Sequence, residues 1–213
     1  MKKTSHIVLS ADIVVLAQFH NPSILNPDFL KNNKIVDRNW KVAETITTTP
    51  FSQTRFKNGI SMTVDNERMN ITQKINDNYH EISPIYDIAS EYIKILEHVK
   101  YTALGLNWDI LVPIKTPDSW LVGHFLKKTS IPKSSPAVKG LNLTMNFNLD
   151  GNITSFQLAP ALINFKEKGP VEGVLVRANI HYENASSNEI RKKLQTWKET
   201  QQSIEKQIHK LIS

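Results

Sequence analysis

Residues 102–114 read TALGLNWDILVPI, a stretch in which apolar side chains recur at every second position. A period of two places successive side chains on opposite faces of a strand, so the pattern predicts a long β-strand with one buried face. This strand begins the second half of the chain. The alternating apolar positions are Leu104, Leu106, Trp108, Ile110, Val112 and Ile114.

The residues before this strand predict several further elements. A Ser-Pro pair at Ser83 and Pro84 provides an N-cap and a first-turn proline, and apolar residues then recur at helical spacing up to Val99. We therefore expect an amphipathic helix there. The other predicted elements are a strand at about Ile7–Phe19, a short helical turn within 21–32, an extended segment over 40–56, and alternating strands over 59–65 and 69–75.

The residues after the strand repeat the same kinds of element. A short helix is predicted over Pro117–Lys127, and a long helix from about Asn188 to the C-terminus, capped by Ser186 or Ser187. Three strands are predicted between the helices, at Leu141–Leu149, Ile153–Ile163 and Val171–Tyr182.

Residues 1–100 and 101–213 thus follow one order of elements, β-α-β-β-β-α. The segments NPSILNPDFLKN and TPDSWLVGHFLKK, one from each half, resemble each other locally and support this alignment. A sheet with alternating strands must cover its apolar face, and the two long helices have the matching apolar stripes. The sequence therefore predicts a single α+β domain of two pseudo-repeated halves, with one curved antiparallel sheet and both long helices on one face.

This order of elements is similar to the TBP-like architecture, in which two such halves form a curved sheet. A helix-grip arrangement, with a sheet wrapped round a long helix and a pocket between them, satisfies the same pattern. Two short pieces, RFKNG at 55–59 and ALGLNWDI at 103–110, resemble a sporadically distributed prokaryotic family of uncharacterised function. That resemblance implies no known activity, ligand or cofactor.

Composition excludes several classes of function. The chain has 213 residues, a formal charge of +6 and no cysteine, which excludes disulfides, thiolate-bound zinc, iron–sulfur clusters and a thiol nucleophile. No apolar run approaches the roughly 18 residues of a membrane span. Asp12 interrupts the N-terminal apolar stretch, so we expect a strand there instead of a signal peptide, and a cytoplasmic protein.

Known catalytic and cofactor motifs are absent from the sequence. The seven histidines never occur at i, i+4 spacing, and the glycines form neither a dinucleotide nor a P-loop motif. We therefore predict no catalytic residue, no metal ligand and no cofactor. One carboxylate pair, Asp12 and Asp109, lies on the first strands of the two halves, where a pseudo-symmetric fold would bring the two together as an acid–base pair.

Two surfaces are candidates for binding. One is a basic loop, whose lysines either contact phosphates of a nucleic acid or are merely solvated. The other is a polar sheet face, which either hydrogen-bonds to a protein or peptide or is merely the water-facing side of the sheet. The loop residues are Lys127, Lys128, Lys133 and Lys139. The face residues are Asn142, Thr144, Asn146, Asn148, Arg177, Asn179 and His181.

The terminal helix has a heptad-like apolar seam that includes Trp197, Gln201, Ile204 and Ile208. This seam either packs across the sheet or pairs with a second copy, with Gln201 setting the register. The function predicted from the sequence is a non-enzymatic cytoplasmic binding or assembly protein, a homodimer that recognises a protein or peptide. The alternatives are a nucleic-acid-binding protein and a small-ligand pocket of helix-grip type.

Overall fold

Nine antiparallel strands form one open sheet with the order β2-β3-β4-β5-β1-β6-β9-β8-β7. The structure is a computed structural model that describes residues 6–75, 85–126, 137–149 and 151–212. Strands β1 and β6 lie side by side in the middle of the sheet, and β2 and β7 form its edges. The strands are β1 (Ile7–Ala17), β2 (Val42–Thr47), β3 (Phe51–Phe56), β4 (Ile60–Asp65), β5 (Arg68–Lys74), β6 (Tyr101–Pro113), β7 (Leu143–Leu149), β8 (Asn152–Phe165) and β9 (Gly169–Glu183).

Five α-helices are present in the described part of the chain. Each of the short helices α1 and α3 begins with a proline, whose fixed φ suits the first helical turn. Helix α1 is also capped by Asn26, whose side-chain oxygen accepts a hydrogen bond from the Phe29 backbone N–H at 2.8 Å. The helices are α1 (Pro27–Asn32), α2 (Ile85–Ile95), α3 (Pro117–Phe125), α4 (Ser187–Gln195) and α5 (Trp197–Ile212).

One face of the sheet is apolar and is covered by helices. Helix α2 contacts β1 and β5, helix α4 contacts β6, and α2 and α4 contact each other. The alternating residues of the central strands are buried beneath them, so the packing buries the apolar half of each strand pattern. The centre of this core contains Ile13, Val15, Ile71, Leu104, Leu106, Trp108, Val176 and Ala178.

The predicted α+β class with an antiparallel sheet is confirmed, and the strands lie close to their predicted bounds. The extended segment over 40–56 is a hairpin of β2 and β3, because the Thr48 backbone N–H donates to the Phe51 carbonyl oxygen at 2.9 Å and turns the chain. The predicted cap at Ser83 and Pro84 lies outside the described residues.

The predicted long C-terminal helix is two helices, separated at Thr196. The Thr196 backbone N–H donates to the carbonyl oxygens of Leu194 and Lys193. Its hydroxyl also donates to the Lys193 carbonyl oxygen, at 3.0 Å. The Thr196 backbone N–H thus bonds to carbonyls two and three residues back instead of four, which interrupts the α-helical pattern there. No helix of the described part is both long enough and apolar enough to cross a membrane.

Candidate functional site

A row of polar side chains crosses the whole sheet on the face opposite the helices, which we call the open face. Each of the nine strands contributes one residue, and each residue lies directly opposite the next in the strand register. At about 4.8 Å per strand the row extends roughly 38 Å. We call this row the polar rung; from β2 to β7 it consists of Glu44, Arg55, Ser61, Thr72, Asp12, Asn107, Asn179, Ser155 and Asn146.

Hydrogen bonds between neighbouring strands fix the centre of the polar rung. The Asn179 side-chain nitrogen donates to the Asn107 side-chain oxygen at 2.6 Å. The Thr72 hydroxyl donates to an Asp12 carboxylate oxygen at 2.5 Å. All four side chains are half-buried, so the centre of the rung is held in place by bonds within the protein.

Two carboxylates lie near each other on the open face, as the Asp12 and Asp109 hypothesis required. Asp12 is opposite Asn107, and Asp109 is opposite Ser10, so the two aspartates are diagonal neighbours on β1 and β6. Diagonal positions in an antiparallel ladder are about 7–8 Å apart. This separation leaves no direct hydrogen bond between the two carboxyl groups, and the acid–base role stays a hypothesis.

The environment of the two aspartates disfavours their ionised forms. Burial raises the pKa of the Asp12 carboxyl above its ordinary value, the Thr72 hydrogen bond opposes this rise, and the Asp109 charge adds to it. Burial likewise raises the pKa of Asp109, whereas the nearby Arg177 lowers it. The Arg177 Nε lies 3.5 Å from the Asp109 carboxylate, but the arginine side chain is 62% exposed, so this ion pair is weak.

Polar residues also flank the rung on the first-half strands. The Gln53 side-chain nitrogen donates to the Thr63 hydroxyl at 2.9 Å, and the Asn70 side-chain nitrogen donates to the Thr72 hydroxyl at 3.4 Å. In the middle of the sheet, Gly105 lies opposite Val14 next to the rung and is buried there. The open face is therefore polar beyond a single row on β3, β4 and β5, whereas the corresponding residue of β1, Val14, is apolar.

Most of the predicted face residues belong to the open face. Asn146 and Asn179 are members of the polar rung, and Arg177 lies opposite Asp109. His181 lies opposite Gly105. Thr144 and Asn148 share the face with Asn146, and Asn142 is exposed just before β7.

The predicted basic loop is described only in part. Lys139 is exposed in the segment that precedes β7, whereas Lys127, Lys128 and Lys133 lie outside the described residues. Of the four loop lysines, the structure therefore gives a position for Lys139 alone.

Several rung residues were not singled out from the sequence. Asn107, Ser155, Arg55 and Glu44 join the row only through strand pairing between distant segments. The available signal was the alternation within each strand, which assigns a residue to a face without giving its neighbour on the next strand.

The terminal helix packs on its own chain. Trp197, Ile204 and Ile208 are buried, and the Gln201 side chain donates to the Glu205 carboxylate at 2.8 Å. Trp197 lies against Trp108 of β6, in the position where a helix-grip pocket would lie. A cleft of about 270 Å³ remains beside it, lined by residues that include Ile180, Tyr182, Lys193, Thr200 and Ile204.

The described residues contain no group of three or more His, Asp or Glu side chains that could hold a metal ion. No protein-family model matches this chain, and no curated protein matches it significantly in sequence.

Proposed function

We propose that this chain is a non-enzymatic binding protein that recognises a segment of another protein, or a peptide, on the open face of its sheet. The observation that supports this most is the polar rung, in which all nine strands present a polar side chain in one row. A row of amides, hydroxyls and carboxylates offers donors and acceptors at the strand spacing of about 4.8 Å. An extended peptide carries a backbone N–H and a carbonyl group about every 3.3 Å, so several of these groups fall within reach of the row when the peptide lies along it.

The charges of the rung favour a protein over a nucleic acid. Asp12 lies at the centre of the rung, with Asp109 diagonal to it, and both would repel a phosphate backbone. The cation Arg55 is already paired with Glu44, with 2.9 Å between nitrogen and oxygen. We therefore propose that the ligand places a lysine or arginine near Asp12, which accepts a hydrogen bond from the uncharged Thr72 hydroxyl.

The fixed centre of the rung supports recognition over simple solvation. Solvated polar side chains on a sheet surface do not need partners within the protein. Here the 2.6 Å bond between Asn107 and Asn179 orients two amides before a ligand arrives, which lowers the entropic cost of binding.

We further infer that the two halves of the chain are a pseudo-repeat of TBP-like arrangement in a cytoplasmic protein. The strand order supports this inference, because β1 and β6 meet in the middle while β5 and β9, the last strands of the two halves, flank them. The contact between α2 and α4 also agrees with it.

The test is a selection of random twelve-residue peptides on the immobilised protein, followed by anisotropy titration of the recovered peptides. We expect recovered peptides to contain Lys or Arg, and we expect Asp12→Asn to weaken their binding about tenfold, since a charge-assisted hydrogen bond is lost. The matched control is Glu199→Gln on α5, which removes one charge from an exposed position away from the open face and should leave affinity within about twofold.

Two outcomes contradict the proposal. One is recovery of peptides whose affinity is the same for wild type and Asp12→Asn. The other is binding of a 20-nucleotide single-stranded DNA with an affinity that falls steeply as salt rises, because that behaviour identifies a phosphate-binding protein.

A further inference from the structure

Strand β7 forms one edge of the sheet, and its own residues contain none of the charges or prolines that protect many edge strands. Natural edges are blocked by charged residues, prolines or bulges, because a free edge otherwise pairs with another strand. Residues 143–149 read LTMNFNL, with no charge and no proline, and they pair with β8 without a register shift. At the opposite edge, β2 carries Glu44 and a register shift between Val42 and Glu44.

The sequence of β7 is also complementary to itself. In an antiparallel pairing centred on Asn146, apolar residues lie opposite apolar residues and polar residues lie opposite polar residues. No like charges meet, because the strand has none. The resulting pairs are Leu143 with Leu149, Thr144 with Asn148, Met145 with Phe147, and Asn146 with its own counterpart.

We propose that a second copy of this chain pairs with β7 through this two-fold register. The apolar row of β7 is only half-buried in one chain, and pairing would give each of its side chains an apolar neighbour. The other row, which includes Asn146, is exposed and uncharged, so it tolerates a polar neighbour.

The alternative surface for a second copy, the seam of α5, is occupied within the chain. Trp197, Ile204 and Ile208 are buried against the protein's own sheet and helices. A second helix would have to displace these contacts, whereas pairing at β7 displaces no described element.

Pairing at β7 extends the polar rung into the second copy. A two-fold axis perpendicular to the sheet keeps both open faces on one side, with Asn146 of each copy at the centre. The row would then cross eighteen strands. This inference does not depend on what the open face binds.

The test uses the self-pairing of Asn146. Asn146→Lys places two like charges opposite each other across the axis, so sedimentation velocity should show the dimer dissociation constant rising about fivefold or more. Wild type should reach twice the 24.3 kDa chain mass at high concentration.

An equimolar mixture of Asn146→Lys and Asn146→Asp should recover dimers, because opposite charges then meet. Asn146 is exposed, so both variants should keep the wild-type circular dichroism spectrum.

The matched control is Thr45→Lys, which adds the same charge at an exposed position of the other edge strand, β2, and should leave the dimer intact. A wild-type chain that remains monomeric up to about millimolar concentration overturns the proposal. So does a dimer that Thr45→Lys dissociates and Asn146→Lys does not, or a mixture of the two oppositely charged variants that fails to associate.

Discussion

Trp108 on β6 and Trp197 at the start of α5 lie against each other with ring centroids 4.7 Å apart and planes tilted by 37°. Both indoles are buried, and within the described part of the chain neither ring nitrogen has a hydrogen-bond partner. The pair joins the terminal helix to the middle of the sheet. Its stabilisation therefore comes from apolar area and ring geometry, while two unpaired N–H groups oppose it.

Replacing Trp197 by alanine should lower the free energy of unfolding by about 3–5 kcal/mol, because the substitution leaves a cavity beside Trp108. Urea denaturation followed by circular dichroism measures this loss. Trp197→Phe is the control, since it keeps most of the ring contact and should lose clearly less. A loss below about 1 kcal/mol for the alanine variant would show that the helix does not depend on this contact.

Asp12→Asn should make the protein more stable at neutral pH. Since the pKa of Asp12 is raised in the folded state, the folded chain holds the proton more tightly than the unfolded chain. Stability should therefore fall as pH rises through the window between the unfolded and the raised folded pKa. The asparagine variant does not ionise at this position. Its free energy of unfolding in urea should therefore exceed that of wild type at pH 7, and the difference should shrink towards pH 3. A stability difference that grows on acidification would contradict this interpretation of the raised Asp12 pKa.

His20 should make the wild-type protein sensitive to mild acid. Burial lowers the pKa of this imidazole, and its Nε2 lies 3.3 Å from the Val15 carbonyl oxygen. The unfolded chain therefore takes up the proton more readily, and folded-state stability should decline as pH falls below about 6.5. His20→Gln keeps a donor for Val15 without titrating, so its melting temperature should change less between pH 7 and pH 5. Equal pH dependence for both proteins would exclude His20 as the cause.

Ser186→Ala should cost about 1 kcal/mol, because Ser186 caps helix α4. Its hydroxyl accepts a hydrogen bond from the Glu189 backbone N–H, and the Glu189 carboxylate accepts one from the Ser186 backbone N–H at 2.8 Å. Ser187→Ala is the matched control, since that residue is the first of the helix and its substitution should change stability by less than about 0.5 kcal/mol. Equal losses for the two variants in urea denaturation would show that the cap contributes nothing specific.

The elements of this fold could be predicted from local patterns. The alternation in β6 and the Ser186 cap of α4 are properties of neighbouring residues, so the sequence shows them directly. The break at Thr196 could not be predicted, because a threonine within a helix bonds backward to a carbonyl in some settings and simply faces solvent in others.

The open face was predictable only strand by strand. That Asn179 faces away from the helices follows from its position between Ala178 and Ile180, which are buried. That it bonds to Asn107 depends on the pairing of two strands 72 residues apart, which no local pattern encodes. The hydrogen bond between Thr72 and Asp12 was beyond prediction for the same reason, whereas the pseudo-repeat did predict that Asp109 lies near Asp12.

The polar rung also makes the fold intolerant of single-residue insertions and deletions within its strands. Losing or gaining a single amino acid inside β1 would move Asp12 to the helix-covered side and bring Ile13 out to water. Insertions should consequently be tolerated between strands and not within them. In a random insertion library selected for folded protein, the nine strands should therefore be the segments in which no insertion is recovered.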